Sequence, residues 1–497
     1  MEFALEECTI GQVHEAFRAG TLDCATLTQS YLDRIAAFDH QGPALNSFVT
    51  LNPKALEQAK EIDDAFARDK TFVGPLHGIP VAIKDQAEIA GLETSFGSIA
   101  LKGYVPEADA TIVKKLKQAG AVIIGKTTMP DFAASWWGFG SVHGETRCPY
   151  APERDSGGSS GGTGAAIAAN LATVGIGEDT GGSIRLPSSA NNLVGIRVTP
   201  GMISRSGLSP LLVLLDTAGP MARTVTDAAI LLDALVGYDP ADEFTTTYTI
   251  ANFKGTYTDC LQAGGFEGAR FGVIKEAFGS DDDPDCAPVN TVVRQAIDDM
   301  RRAGAEFVEL SIPNLDGLIA DSSLYISRSR FDVDNFLKSR PTIPYSSIEE
   351  IYREGKYDKK LELIPAIVEE GPAEPETDPE YFRRLARIYE FQRLLVGLIA
   401  REGLDGICYP CCRVLSPTHE DLRSGRWTVL TYPTNTVIAS QSLLPSICLP
   451  AGFSEAGVPI GMELIAPPYH EPELIRLGYR FEQLTRWRRP PESTPPL

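Results

Sequence analysis

The chain has 497 residues, 43% of them hydrophobic, and a formal net charge of −21 at pH 7. This composition supports a large buried core, and the acidity without a basic patch excludes a nucleic-acid binder. Nine cysteines spread over so long a chain form no disulfide framework, so we expect a reducing compartment, the cytoplasm. No apolar run reaches the ~18 residues of a membrane-spanning helix.

The first 70 residues show the apolar spacing of helices, and the pattern then changes to short β-branched runs that end in glycine or a charged residue. We predict buried strands in GIPVAIKDQ, GAVIIGKT and ATVGIGEDTGG. We predict helices between them in TIVKKLKQAG and GTGAAIAANLA. Strands that alternate with helices indicate an α/β fold with helices on the faces of the sheet.

Residues 240–400 combine acidic, proline-rich patches with amphipathic segments, which predicts exposed loops and helices. Two strand-like segments follow, LPSICLPAGF and VPIGMELIA, and then the helix-like PELIRLGYRFEQLTRW. Sheet-forming segments near both ends predict one large domain, 1–497, whose last strands rejoin the same sheet.

Three other features have simple structural explanations. GAVIIGKT fits the P-loop pattern, but residues 121–124 belong in a strand and Pro130 follows too soon for a helix, so Lys126 is expected to be structural. CYPCC at 408–412 has no second cysteine pair or histidine at zinc-finger spacing. None of the six histidines forms a metal-ligand pattern, so we predict no metal and no cofactor.

The glycine- and serine-rich stretch DSGGSSGGTG, at 155–164, precedes an apolar helix pattern and is therefore a poor candidate for a linker. It contains the G-x-S-x-G pattern of an esterase nucleophile turn, with Ser160 as the nucleophile. That mechanism needs a histidine later in the chain, and His419 or His470 could serve.

A second turn, EDTGGSIRLPSS, follows a predicted strand and carries Ser183 directly after two glycines. Adjacent glycines let successive backbone N–H groups point at one oxyanion, although a tight turn would use the same residues. Lys84 ends the strand IPVAI, where burial would favour its neutral form and lower its pKa. A pair with Asp85 would instead make Lys84 structural.

Together these segments resemble the amidase signature family. The resemblance covers 75–235 densely and extends weakly to the C-terminus; its segments are GIPVAIKD, GKTTMPDF, DSGGSSGGTGAAIAA, EDTGGSIRLPSS, DTAGPMARTV, PAGF and GVPIGMELI. The family uses a Ser–cis-Ser–Lys triad. Carried onto this chain, the nucleophile is Ser183, the bridging serine is Ser159 after a cis bond from Gly158, and the base is Lys84.

The resemblance also implies supporting residues. The oxyanion hole would consist of the N–H groups of Thr180, Gly181, Gly182 and Ser183. Ser160 would be a supporting hydrogen-bonding residue, Asp179 and Arg185 would brace the nucleophile turn, and Ala133 would line the acyl pocket.

The implied fold is α/β, a large mixed sheet with helices on both faces. Within it, 1–70 would be a helical segment, 75–235 the signature core, 240–430 the variable substrate-pocket region, and 440–490 the strands and helix that rejoin the core. The pocket walls would come from 130–145, 200–215 and parts of 300–430, where Trp136, Trp137 and Phe139 suggest an apolar acyl group.

The implied activity is hydrolysis of a small-molecule amide, with carbamates and esters as further substrates, without a metal or cofactor. Ser159 would join Lys84 to Ser183, on different strands, through two short hydrogen bonds. The alternatives are the glutaminase subunit of a tRNA amidotransferase, the esterase with Ser160 as nucleophile, and a catalytically silent binding protein. The sequence leaves homo-oligomerisation open.

Overall fold

The computed structural model describes residues 3–497. Most of its strands belong to a single mixed sheet. The strands are β1 (Phe48–Leu51), β2 (Pro80–Lys84), β3 (Val122–Thr127), β4 (Phe139–Gly140), β5 (Gly144–Glu145), β6 (Arg147–Cys148), β7 (Ala151–Asp155), β8 (Val174–Asp179), β9 (Val194–Arg197), β10 (Thr217–Ala222), β11 (Arg270–Ile274), β12 (Glu306–Leu310), β13 (Gly406–Pro410), β14 (Ser446–Phe453) and β15 (Pro459–Ile465).

Helices fill most of the chain between the strands. The α-helices are α1 (Ile10–Ala19), α2 (Cys24–Phe38), α3 (Ala55–Asp69), α4 (Thr111–Gln118), α5 (Gly161–Ala168), α6 (Arg185–Ala190), α7 (Val225–Leu235), α8 (Thr246–Ala251), α9 (Ala287–Arg302), α10 (Leu315–Asp321), α11 (Tyr325–Lys338), α12 (Ile348–Arg353), α13 (Leu363–Glu369), α14 (Tyr381–Glu402), α15 (His419–Arg423), α16 (Val437–Ser440) and α17 (Glu471–Thr485). Short 3₁₀ helices occupy Ile99–Leu101, Asp131–Ala133, Glu243–Thr245, Tyr257–Cys260, Lys275–Ala277 and Pro375–Thr377.

The main sheet has eleven strands in the order β1-β3-β2-β8-β10-β9-β14-β15-β13-β11-β12. β2 runs parallel to both β3 and β8, and β11 runs parallel to β12 and β13, whereas the other neighbours are antiparallel. Every residue of β2, β3 and β8 is buried, because helices cover both faces of the sheet there. This architecture confirms the predicted α/β class and large mixed sheet.

The N-terminal segment differs from its prediction as a purely helical region. Residues 48–51 form β1, which pairs antiparallel with β3 at the edge of the main sheet. The segment FVTL is rich in β-branched residues but is too short to interrupt a helical pattern visibly. At the other end of the chain, β14 pairs with β9, and β15 pairs with β13.

Buried Arg34, on α2, ties the N-terminal helices to the C-terminal tail. It is only 1% exposed and forms an ion pair of 2.7 Å with Glu6. Its guanidinium also donates hydrogen bonds to the carbonyl groups of Ala169, Asn170, Thr494 and Pro495. These acceptors come from two distant parts of the chain, so Arg34 couples their positions.

No helix among residues 3–497 has the combination of length and apolarity that crossing a membrane requires. All nine cysteines are free thiols.

Replacing Arg34 should destabilise the whole fold. Arg34→Ala leaves three buried carbonyl groups and one partly buried carbonyl group without their donor, so we expect the free energy of unfolding to fall by more than about 3 kcal/mol. Urea unfolding followed by far-UV circular dichroism measures this loss. Arg68→Ala, at an exposed position of α3, is the control and should leave the midpoint unchanged. Equal midpoints for the two variants would contradict the role of Arg34.

Candidate active site

Three neighbouring elements bring the predicted triad together. Lys84 is the last residue of β2, Ser159 lies in the loop between β7 and α5, and Ser183 lies in the turn between β8 and α6. Because β2 and β8 are adjacent and parallel, their C-terminal ends meet at one edge of the sheet. Ser183 therefore lies in the turn that follows β8, where the sequence analysis expected a turn after a strand.

Lys84 is buried in the middle of this group, with 1% of its surface exposed. Its Nζ donates to Ser159 Oγ at 2.8 Å and to the carbonyl oxygen of Glu178 at 3.1 Å. The Glu178 carboxylate lies 3.3 Å from the same nitrogen. Burial lowers the pKa of Lys84, and the negative charge of Glu178 opposes that shift.

Asp85 does not neutralise Lys84. Its carboxylate pairs with Lys126 Nζ at 2.8 Å and accepts hydrogen bonds from Ser95 and Gly97. Lys126 is itself buried on β3, so the lysine of the P-loop-like segment is a structural ion-pair partner. The hydrogen-bond partners of the Lys84 amine are therefore Ser159 and Glu178.

Hydrogen bonds to the backbone fix the position of the glycine- and serine-rich loop. Asp155 accepts hydrogen bonds from the N–H groups of Gly138 at 2.9 Å and Gly157 at 2.7 Å. The peptide bond between Gly158 and Ser159 is cis. The next residue, Ser160, donates its N–H to the carbonyl oxygen of Ser183 at 3.1 Å, which joins the loop to the nucleophile turn.

Only the first of the two predicted triad hydrogen bonds is present. No hydrogen bond joins Ser159 Oγ to Ser183 Oγ in the described part of the chain. The two turns are joined through the backbone instead, and Ser183 faces the adjoining cavity. The predicted second bond is therefore not formed in the structure.

The turn Thr180–Ser183 presents a row of backbone donors. Within residues 3–497, none of its four N–H groups has an intramolecular acceptor. Gly181 and Gly182 are needed for close packing: a Cβ atom would lie 2.2 Å from the Tyr325 hydroxyl at the first and 2.0 Å from Thr436 Oγ1 at the second. Gly182 also has a φ of 147°, which disfavours any side chain. Such a row of free N–H groups can bind an oxyanion.

A buried ion network braces this turn from behind. Asp179 lies 3.0 Å from Arg185 and 2.9 Å from Arg197, and it accepts the N–H of Ile184 at 3.0 Å. Arg185 also pairs with Glu463 on β15 at 2.6 Å. Despite burial, the two guanidinium groups hold the pKa of Asp179 well below its usual range, so it stays ionised.

Ser160 lacks the partner that an esterase nucleophile needs. Its hydroxyl contacts only the backbone N–H and carbonyl of Glu178, each at 3.2 Å. His419 is buried near Glu145, and His470 bonds the carbonyl of Pro468 at the start of α17. Neither histidine contacts Ser160 in the described structure, so the structure offers no partner for the histidine-dependent alternative, and the Ser160 side chain lies between strand and loop.

A cavity of about 90 Å³ opens in front of Ser183. Its walls come from the nucleophile turn and from the three regions expected to form the pocket, and none of its lining residues is charged. They are Ala133, Ser135, Trp136, Thr180, Gly181, Ser183, Leu211, Ser323, Tyr325, Ile326, Leu363, Val429 and Leu430. Trp136 therefore reaches the cavity as predicted, whereas Trp137 and Phe139 pack in the hydrophobic core.

Glu178 is the site residue that the sequence analysis missed. It is 1% exposed, contacts Lys84, and has a raised pKa because of burial, which the charge of Lys84 partly offsets. One signal could have identified it. A buried glutamate near the end of a strand requires a compensating partner, and Lys84 ends the neighbouring strand.

Comparisons with known proteins identify the family of the chain. A sequence model of the Amidase family matches residues 26–475. The chain is similar to a glutamyl-tRNA(Gln) amidotransferase subunit of Geobacter metallireducens, with 33% identity over 497 residues, 97% of this chain and 98% of that protein. It is also similar to the corresponding subunit of Roseiflexus sp., with 34% identity over 97% of each chain.

Two solved structures share the fold closely. The native peptide amidase from Stenotrophomonas maltophilia superposes with a TM-score of 0.84 and 33% identity, over 98% of this chain and 99% of that one. The corresponding glutamyl-tRNA(Gln) amidotransferase subunit from Thermotoga maritima superposes with a TM-score of 0.75 and 26% identity, over 99% of both chains.

Asp179→Asn should cost stability in a pH-independent way near neutrality. The variant leaves two buried guanidinium groups without their shared carboxylate, so we expect a loss of about 3–5 kcal/mol at pH 7. Because the folded-state pKa is below the unfolded one, the contribution of Asp179 is fully present above the unfolded pKa. It disappears only as the pH falls through the folded value.

Urea midpoints of the wild type and Asp179→Asn at pH 5, 6, 7 and 8 test this prediction, and the difference between them should stay constant. Asp298→Asn, which breaks an exposed pair with Arg301, is the control and should change little. A difference that shrinks between pH 8 and 5 would show that Asp179 is not held ionised.

Proposed function

Because this chain belongs to the Amidase family, we propose that it hydrolyses an amide C–N bond through an acyl-enzyme on Ser183, with Ser159 as the proton relay and Lys84 as the base. The family confirms the resemblance seen in the motifs and supports an amide-hydrolysing enzyme over a silent binding protein. The observation that carries the proposal is the buried 2.8 Å hydrogen bond from Lys84 Nζ to Ser159 Oγ, beside four unbonded N–H groups.

The proposed reaction begins with proton transfer through the two serines. Neutral Lys84 takes the proton of Ser159 as Ser159 takes that of Ser183, whose oxygen attacks the amide carbon. The bond between the two serine hydroxyls forms when substrate orders the turn, since catalytic hydrogen bonds commonly tighten only in the substrate complex. The protons then return along the relay to the departing amine, and water hydrolyses the acyl-enzyme.

The N–H groups of Thr180, Gly181, Gly182 and Ser183 would stabilise the oxyanion. Each such donor contributes roughly 2.7–4 kcal/mol in comparable enzymes. The ion network around Asp179 and Arg185 fixes the orientation of these N–H groups before substrate binds. The turn therefore needs little reorganisation in the transition state.

The cavity in front of Ser183 indicates the class of substrate. Its apolar lining, which includes Ala133, Trp136 and Leu363, favours an uncharged acyl group with an apolar or aromatic body. We propose a small-molecule amide of this kind. The similarity to the peptide amidase, with its TM-score of 0.84, is consistent with a stand-alone hydrolase.

The second candidate is a glutaminase subunit that works with partner proteins, which the similarity to amidotransferase subunits favours. Free glutamine carries an ammonium and a carboxylate, and burying either requires a charged partner. Among the described residues, no charged side chain lines the cavity. The charged residues of the adjoining chamber, Arg413 and Asp316, already pair with each other at 2.7 Å. The stand-alone amidase is therefore the preferred proposal.

A serine-reactive fluorophosphonate tests the nucleophile. We expect a single adduct on Ser183 after digestion and mass spectrometry, and none in Ser183→Ala. Lys84→Ala should label about 10²–10⁴-fold more slowly, because the attacking serine loses its base. Ser442→Ala, which removes another buried serine hydroxyl, is the control and should label like the wild type. An adduct on Ser160 would contradict the proposal.

A substrate panel separates the two candidate functions. We expect hydrolysis of primary amides with aryl or alkyl acyl groups and little release of ammonia from free glutamine. Trp136→Ala should raise KM for aryl substrates more than for acetamide, because it removes one apolar wall. Glutamine hydrolysis that exceeds aryl and alkyl amide hydrolysis would favour the amidotransferase subunit instead.

A further inference from the structure

Among the described residues of the site, Lys84 is the cation that the Glu178 carboxylate contacts. Its carboxylate lies 3.3 Å from Lys84 Nζ, and its own carbonyl oxygen accepts from the same nitrogen at 3.1 Å. Its second carboxylate oxygen is 3.4 Å from the Thr180 hydroxyl. Glu178 therefore contacts the Lys84 amine through both its carbonyl oxygen and its carboxylate, and Ser159 is the other hydrogen-bond partner of the amine.

The other charges around Glu178 are already paired. A polar cavity of about 480 Å³ reaches it from the surface, with Glu178 and Asp216 buried at its inner end and Ala241, Asn335 and Ser339 exposed at its rim. Its three arginines are neutralised in the ion pairs Arg205–Asp242, Arg328–Asp332 and Arg340–Glu88.

The neighbouring carboxylates also have their own partners. Asp216 accepts the Thr180 hydroxyl at 2.6 Å and the N–H groups of Leu211 and Leu212. Asp179 is held by two arginines. Glu178 is therefore the carboxylate whose charge is balanced by Lys84 alone, and the cavity gives it a route to solvent.

We propose that Glu178 is a positioning residue for the reaction: its carboxylate orients the Lys84 amine and stabilises the ammonium that forms there. The proposal rests on the proposed function, in which the Nζ lone pair takes the proton of Ser159 and the O–H bond of Ser159 breaks. That transfer creates a positive charge on a buried amine, where an unpaired ammonium is costly. In its ionised form the Glu178 carboxylate is negative before and after the step, so charge balances without another reactant.

The role resembles that of the acid in a Ser-His-Asp triad, which stabilises the imidazolium formed on the histidine. It also predicts a pH signature. Burial, opposed by the charge of Lys84, raises the pKa of Glu178 to about 8. Full stabilisation of the ammonium therefore requires a pH near or above that value, and the charged groups around the pair are Lys84, Asp179, Asp216 and, beyond Asp216, Arg205.

The experiment is the rate of fluorophosphonate labelling of Ser183 as a function of pH, for the wild type and Glu178→Gln. We expect the wild-type rate to rise through an inflection near pH 8. In the Gln variant the inflection should move to lower pH, and the plateau should be about 10–100-fold lower. Both changes have one cause, since removing the negative charge makes Lys84 a weaker base.

Glu471→Gln is the matched control, because Glu471 is equally buried but accepts from the N–H of Thr199, which lies between β9 and β10 and outside the site. It should retain the wild-type inflection. An unchanged profile in Glu178→Gln would overturn the proposal, and so would a faster rate at every pH, which would mean that Glu178 only holds Lys84 in an inactive ammonium form.

If Glu178→Gln does not fold, Glu178→Asp decides the question. It draws the carboxylate back from Nζ by one methylene, so the rate should fall while the inflection remains, and an unchanged rate would overturn the proposal. The proposed function fails separately, if wild-type protein gives no adduct on Ser183. If Ser183 is labelled but the Glu178 variants behave like the wild type, only the proposed role of Glu178 fails and the proposed function stands.

Discussion

The structure of the site depends on burying the Lys84 amine while providing it with three hydrogen-bond acceptors. These are the Ser159 hydroxyl, the carbonyl oxygen of Glu178 and the carboxylate of Glu178. An ordinary lysine has a pKa near ~10.4 and is almost fully protonated at neutral pH, which prevents it from acting as a base. Burial at the end of β2 lowers the pKa of Lys84, and Ser159 and Glu178 supply the hydrogen-bonding groups that water would otherwise provide. Without the sheet on one side and the helices on the other, the same residue would be an ordinary surface cation.

The rest of the site can be understood as a means of fixing groups around this amine. Two turns from different parts of the chain meet there, and one backbone bond, from Ser160 to Ser183, joins them. Glycines at 181 and 182 allow the nucleophile turn to approach Tyr325 and Thr436, which no larger residue could do.

Most of the fold could be predicted from local sequence patterns, and the proposed triad from the resemblance of its motifs to those of a known family. Buried strands are continuous apolar runs, and the glycine–serine turns keep fixed spacings. β1 was missed because four residues carry too little periodicity. Glu178 was missed because its partner, Lys84, is distant in sequence and adjacent only across the sheet. The absent bond from Ser159 to Ser183 depends on side-chain torsions, which no sequence pattern encodes.

Two neighbouring carboxylates show how the same environment produces opposite chemistry. Asp179 and Glu178 are both buried at the end of β8, where burial alone would raise both pKa values. Two arginines hold Asp179 ionised, and it serves to brace the turn. Glu178 has one lysine, which itself must lose its proton to act, so its pKa remains raised. The number of cations at each carboxylate therefore separates a fixed structural charge from one that can respond to the chemistry of its partner.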